Sequence, residues 1–310
     1  MSLPYNYLAI NLTQNCNTIC KYCFQSALHE TVDKLDFITI RRVIDFLASK
    51  SDDSKKILHL TGGEPSLHKN FLDIIEYGLE KGYIIRIQSN GIDYSQLDYN
   101  RMKSLFSNPS LSIKITVDGW NAAIHEIYRE KGTFDRICDN IKMLTEICNT
   151  VGIKTCVNAF NIHELYRMLD FCKQYSVQGF SYNLIREEGY AVNIQDKDNI
   201  RIDEIEIAKK LIPYFNKEEY QYLLNGCNLI LYYFTDKSRI YYQRQFYLDN
   251  DGLIYPHQSS LSNEIIGNVF EPNFEKQFDA SKAREWGHYY DLDEKLISYV
   301  KSNLRLIKKQ

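Results

Sequence analysis

Short apolar runs alternate with amphipathic stretches from Tyr7 to Leu184, and the period of each stretch predicts its structure. Tyr7–Leu12 reads as a buried strand. Phe37–Ser49 places Ile40, Val43, Ile44 and Leu47 on one face of a helix. Lys56–Leu60 is a second strand that runs into Thr61-Gly-Gly-Glu-Pro65. Asn70 can cap a helix over Phe71–Lys81, and Gly82 can stop it. Tyr83–Gln88 is a third strand, Leu97–Phe106 a short helix, and Leu111–Val117 a fourth strand that Asp118-Gly119 turns outward. Phe134–Thr150 is a long helix with Ile137, Ile141, Leu144 and Ile147 or Cys148 facing in. Ile153–Val157, Ile162–Tyr175 and Gly179–Leu184 add a strand, a helix and a sixth strand.

Six β–α units in series imply a parallel sheet with helices outside it, because parallel strands need crossovers and those are right-handed. An eight-unit barrel would need two more units, so the expected α/β fold is a partial, open (β/α)6 TIM-like barrel over residues 1–188. Ligands of such sheets sit at the carboxyl ends of the strands. Three cysteines follow strand one, Gly-Gly-Glu follows strand two, Ser-Asn-Gly strand three and Asp-Gly strand four, all on one rim.

Residues 189–310 read as a smaller α+β unit. Arg186–Asn199, polar and aperiodic, is the expected boundary. Asp203–Phe215 is an amphipathic helix, and Tyr220–Phe234 is apolar and Tyr-rich. Ile240–Leu248 and Leu253–Tyr255 flank Asp249-Asn-Asp-Gly252, a hairpin signal. Leu292–Lys309 should be a terminal helix.

A formal net charge of −3 argues against bulk nucleic-acid binding. No apolar run reaches the roughly 18 residues a bilayer demands, and the first ten residues lack a charged, then apolar, leader pattern. The expectation is a cytoplasmic protein with reduced cysteines.

Cys16, Cys20 and Cys23 stand at C-x3-C-x2-C spacing. An odd set leaves one thiol outside any disulfide, and three thiolates fall one short of a closed zinc site. They suit a cubane iron–sulfur cluster that keeps one iron free of protein ligand and able to bind a small molecule. Zinc completed by a distant His, or chance packing, is the alternative.

With the aromatic Tyr22 before the third cysteine and Gly62-Gly63-Glu64-Pro65 beyond, the chain resembles the radical S-adenosylmethionine superfamily. The resemblance implies one [4Fe–4S] cluster on Cys16, Cys20 and Cys23, with S-adenosylmethionine on the open iron. Reductive cleavage would yield a 5′-deoxyadenosyl radical that abstracts a hydrogen atom, with a flavodoxin- or ferredoxin-type electron donor as partner. It assigns the Gly62–Pro65 turn to the methionine amino group, with Glu64 as a negative partner and glycines that let backbone approach the ligand. Ser89 and Asn90 in Ser89-Asn-Gly91 would lie near the ribose.

Ile115-Thr-Val-Asp-Gly119, His125, Tyr128-Arg129 and Gly132-Thr-Phe134 resemble the peptide- and protein-modifying branch with a SPASM C-terminal domain. There Thr116 and Arg129 would hold the methionine carboxylate, for which an Arg fork is suited. A surface salt bridge is the alternative for Arg129, a plain turn for Asp118, and an ordinary strand-end residue for Asn158, which could otherwise face the nucleoside.

The C-terminal part departs from that branch. Phe246–Pro256, Gly267-Asn-Val269 and Ala280-Ser-Lys282 trace a SPASM-like segment, yet its cysteine position is His257, followed by Gln258, and no cysteine follows Cys227. Auxiliary clusters cannot be held without thiolates. His257 stands as a replacement base or as filler. Cys227 stands as a hydrogen-atom donor or as a buried small hydrophobe, and Cys138, Cys148, Cys156 and Cys172 read as core. The expected substrate is a peptide, with a small molecule (sugar, nucleotide or amino acid) as the rival and a non-catalytic cluster-binding partner protein as the alternative of another class.

Overall fold

Leucine, isoleucine and aromatic side chains recur at every second position along the strands, and this gives the sheet an oily outer face and an inner one that carries most of the polar residues. In the computed structural model β1 (Tyr7–Asn11), β2 (Lys56–Thr61), β3 (Tyr83–Ser89), β4 (Leu111–Thr116), β5 (Val151–Val157) and β6 (Gly179–Leu184) pair in that order, each parallel to the last. The structure describes residues 7–26, 33–50, 55–224, 227, 229, 245–255, 265–278 and 294–306. Leu8, Ile10, Leu58, Leu60, Ile85, Ile87, Ile113 and Ile153 on the outer face are buried under the helices. Each such side chain contributes roughly 2 kcal/mol through burial. The inner face pairs Asn11 with Thr61, Gln88 with Lys114, Thr116 with Lys154 and Cys156 with Asn183. The result is the expected partial (β/α)6 barrel, open at one side.

The helices follow their apolar stripes. α1 (Phe37–Lys50) buries Ile40, Val43, Ile44 and Leu47, as expected. α2 (Phe71–Glu80) ends before Gly82, whose φ of +74° suits glycine. Asn70 precedes α2 but makes no capping bond to the backbone; its amide donates to Asp73 instead. α3 (Tyr99–Phe106) starts two residues later than expected because Asp98 accepts from Arg101 N and caps it. α4 (Ala122–His125) is a single turn, and α5 (Thr133–Ile147) is the long helix. The stretch expected as one helix over 162–175 is a 3₁₀ turn, Ile162–Glu164, followed by α6 (Arg167–Gln174). α7 spans Glu204–Phe215.

The C-terminal hairpin, β7 (Gln245–Leu248) and β8 (Leu253–Tyr255), forms as its turn residues predict. It does not stand apart from the barrel. β7 pairs parallel with β1, and among the described residues one sheet runs β6-β5-β4-β3-β2-β1-β7-β8-β9, with β9 at Gly267–Asn268. Asn11 Nδ2 donates to Asp249 Oδ1 at 2.6 Å and ties the end of β1 to the hairpin turn. Arg42 of α1 reaches Glu275 at 2.5 Å from the other side. The terminal helix covers Glu294–Asn303. Of Tyr220–Phe234, residues up to Leu224 form a 3₁₀ stretch from Glu218, and most of the rest lies outside the described residues.

Candidate active site

The segment after β1 must leave the sheet and return beneath the neighbouring rim loops, and backbone bonds hold it there. Cys23 N donates to Cys20 O at 3.1 Å and Lys21 N to Tyr128 O at 2.9 Å. Gly63 N and Glu64 N donate to Thr13 O at 2.8 Å and Asn15 O at 2.7 Å, which locks the turn after β2 against the cysteine segment. Both glycines are required by that contact. A Cβ on Gly63 would lie 2.3 Å from Asn15 O, and one on Gly62, at φ +144°, 2.6 Å from Thr13 O. Their first job is therefore to let two stretches of backbone touch, although both also face the cavity.

One cavity at the strand ends is lined by Cys16, Cys20 and Cys23 together with Tyr22, Gly62, Gly63, Ser89, Asn90, Thr116 and Arg129. Motifs spread over more than a hundred residues of sequence thus meet at one place. Asn90 donates to Asn17 Oδ1 at 2.7 Å and lies 3.6 Å from Cys16 Sγ. Thr116 accepts from Gln88 at 2.8 Å.

Glu64, Pro65, Asp118 and Asn158 are buried behind this lining. Both Glu64 oxygens are taken: Oε1 accepts from Ser66 N and Oγ and from Ser89 Oγ at 2.7–3.2 Å, and Oε2 from Asn90 N at 2.7 Å. Burial pushes its carboxyl up, and these hydrogen bonds pull it back. The geometry makes Glu64 a brace between the ends of β2 and β3, not a free negative partner. Asn158 receives a bond on Oδ1 from Phe160 N at 2.9 Å and donates to Cys156 O, shaping the turn after β5.

Asp118, Arg129 and Tyr22 form a sealed triangle. Arg129 Nε donates to Asp118 Oδ2 at 2.6 Å, Arg129 Nη2 to the Tyr22 hydroxyl at 2.6 Å, and the Tyr22 hydroxyl to Asp118. Asp118 Oδ1 accepts from Cys156 N at 2.8 Å. Burial is the largest influence and works against the Arg129 charge, but Asp118, Cys20, Tyr22 and Cys156 together outweigh it and raise the pKa well above the usual Arg value. Arg129 is neither a surface salt bridge nor an uncommitted fork, since Nε and one terminal nitrogen are spent inside the protein.

The cysteine loop contains donors that no described group accepts from. Thr18 Oγ and Asn17 Nδ2 are buried without a partner, and Thr18 faces the cavity. A sulfide-rich group between the cysteines would accept from them, so the loop fits an iron–sulfur cluster. No three His, Cys, Asp or Glu side chains among the described residues are placed to share one metal ion. A cubane, whose thiolates each meet a different iron, tolerates that spread, and a zinc site does not. Burial raises Cys16 to about 12 and raises Cys20 as well, so iron has to displace thiol protons there.

Several cavity residues escaped the sequence reading. His59, Gln88, Lys154, Cys156, Asn183 and Arg186 line it too. Cys156, read as core, shares the inner face of β5 with Lys154. The polar stretch Arg186–Asn199, read as a boundary, is docked on the cysteine loop: Tyr190 N donates to Cys23 O at 2.8 Å, and a Cβ on Gly189 would lie 2.4 Å from that oxygen. Cys227 is buried and does not line the cavity. His257, Gln258 and Ala280–Lys282 lie outside the described residues.

Comparison with known proteins follows the same lines. The subtilosin biosynthesis protein AlbA of Bacillus subtilis is 24% identical over 225 residues, 68% of this chain and 49% of that protein. A GTP 3′,8-cyclase of Helicobacter pylori is 23% identical over 176 residues, 56% of this chain and 54% of the cyclase. The chain spans about half the length of the curated relatives it matches. Among solved structures, Streptococcus suis SuiB bound to its precursor peptide SuiA superposes with a TM-score of 0.68 at 15% identity, covering 91% of this chain and 66% of SuiB. anSMEcpe with AdoMet and a peptide bound gives 0.65 at 17% identity, covering 91% and 84%. No helix among the described residues is long and apolar enough to cross a membrane. The family model of the Radical SAM superfamily matches residues 10–172, more than half of the chain, and the chain belongs to that superfamily.

Proposed function

We propose that this chain is a peptide-modifying radical S-adenosylmethionine enzyme whose single cluster is held by Cys16, Cys20 and Cys23. The observation that carries the reading is the common cavity of those cysteines with the strand-end residues Gly62, Gly63, Ser89, Asn90, Thr116 and Arg129. When bound, the cluster and S-adenosylmethionine supply a 5′-deoxyadenosyl radical, and a flavodoxin- or ferredoxin-type protein supplies the electron. The chain's own residues bind and orient: Asn90 and Thr116 offer polar contacts to the nucleoside and carboxylate, and Arg129 offers the remaining edge of its guanidinium. Phe24, Leu184 and Ile185 give the mouth of the cavity an apolar side suited to a peptide. AlbA, SuiB and anSMEcpe support a peptide by their names and bound partners.

With no cysteine after Cys227, the SPASM-like segment offers no thiolate to an auxiliary cluster that would accept a substrate electron. Redox-neutral outcomes such as epimerisation or rearrangement suit such a chain better than oxidation. The small-molecule reading draws on the match to GTP 3′,8-cyclases. Anaerobic reconstitution tests the proposal: about four irons and four sulfides per chain and 5′-deoxyadenosine on reduction are expected. Absence of cleavage would leave the non-catalytic partner reading, and turnover of a nucleotide but of no peptide would favour the small-molecule one.

A further inference from the structure

The polar inner face of the barrel carries a diagonal of cations. Arg86 on β3 is level with Ser112 of β4, and Lys114 lies two residues beyond. Lys114 in turn is level with Gly152 of β5, and Lys154 lies two residues beyond. The three cations thus step toward the strand ends, one inward position per strand. The next step along the same diagonal is Asn183, level with Cys156.

This diagonal is built into the packing. Lys114 crosses β5 over Gly152, where a Cβ would stand 3.4 Å from its Cγ, and donates to Ser181 Oγ on β6 at 3.1 Å. Lys154 is half-buried and lines the cavity that holds the three cysteines. Its ammonium is held by a neutral group: with the Asn183 amide turned to satisfy both its ends, Oδ1 accepts from Nζ at 3.1 Å. The ionisable groups that act on Lys154 are Cys156 and Arg186, and neither is a carboxylate. Burial, reinforced by the other cations, lowers Lys114 to about 8 and His59 to about 3. A chain that needed only to fold would place Met or Gln at Lys154, since a half-buried cation with no carboxylate among the ionisable groups that act on it costs stability.

We infer that the barrel interior seats an anionic group of the substrate, a carboxylate or a phosphate, on Lys154, with Lys114 and Arg86 behind it. This rests on the reading of the cavity as the substrate chamber. The charge count suits one oxyanion. A glutamate or aspartate side chain in a peptide, or a phosphate monoester, matches that chemistry.

Full-length protein, reconstituted with its cluster and loaded with S-adenosylmethionine, is titrated by ligand-observed NMR with three probes. These are acetyl-Ala-Glu-Ala-amide, acetyl-Ala-Gln-Ala-amide and glycerol 2-phosphate. The expected result is at least fivefold tighter binding of the glutamate peptide or of the phosphate than of the glutamine peptide. The advantage should disappear in Lys154→Met and persist in Lys154→Arg. Which of the two anions gains identifies the source. Lys154→Gln serves as the test variant if Lys154→Met melts below the parent. Equal binding of all three probes overturns the inference, as does a preference that survives both neutral variants. A loss of S-adenosylmethionine binding in the neutral variants, with the preference intact, also overturns it by assigning Lys154 to the cofactor. Cleavage of S-adenosylmethionine by the parent is scored separately, so failure of the enzyme reading remains distinguishable from failure of this one.

Discussion

Arg129 Nε lies 2.6 Å from Asp118 Oδ2, with both side chains almost wholly withdrawn from solvent. The pair joins the end of β4 to the turn after α4, and through the Tyr22 hydroxyl it also grips the cysteine loop. Breaking a buried pair from one side strands the other charge. Asp118→Asn should therefore destabilise the fold by about 3–5 kcal/mol, measured as a shift in the urea midpoint. It should also lower iron retention, because the loop loses its anchor. A variant as stable as the parent would show that Arg129 finds solvent or another acceptor.

Gly63→Ala tests the contact between the Gly-Gly turn and the cysteine loop. The added methyl meets backbone oxygens at 2.3 and 2.7 Å, which cannot move aside as a flexible side chain would. Loss of cluster assembly is expected, read as iron and sulfide per chain after anaerobic reconstitution. Gly132→Ala is the control: its φ is +79° but nothing lies within 4 Å, so only backbone strain of about 1 kcal/mol applies. Equal iron content in the two variants would remove the packing explanation.

Glu64 bears on the same loops through its hydrogen bonds. Glu64→Gln keeps the shape but turns one acceptor oxygen into a donor, set against donors from Ser66, Ser89 or Asn90 N. A loss of roughly 1–3 kcal/mol is expected for the buried mismatch. If Glu64 instead served the methionine amino group directly, S-adenosylmethionine affinity would fall with stability unchanged. Thermal melts paired with binding titrations separate the two.

The strands, their order and the rim they share were legible because a parallel sheet writes its period locally. The cysteine triad was legible because three thiolates in eight residues admit few uses. The partnership of β7 with β1 was not, since a hairpin signal names the antiparallel partner and leaves the other edge unspecified. Nor was the direction of Glu64 or Lys154. A strand buried on both faces shows which residues share a face, as Lys154 and Cys156 do, but not which face is the lumen. The docking of Arg186–Asn199 on the cysteine loop was hidden for a related reason: polarity without period describes a linker and also a loop whose backbone bonds to a site.

His125 gives the fold a dependence on acid. Its Nδ1 accepts from Asp118 N at 3.1 Å, so the proton sits on Nε2, which is buried without an acceptor among the described residues. Burial, aided by the Arg129 charge, lowers its pKa from 6.5 to about 4. The unfolded chain thus binds a proton between those values that the native state refuses, and stability rises with pH across that window. Acidification from pH 7 to 4 should cost about 3 kcal/mol through this residue, at about 1.4 kcal/mol per unit. His59, lowered to about 3, adds a second contribution of the same sign and extends it further into acid. His125→Asn can keep an acceptor for Asp118 N without titrating, so its urea midpoint should fall less steeply with acid than the parent's. Parallel pH profiles for the two proteins would show that His125 is not the group responsible.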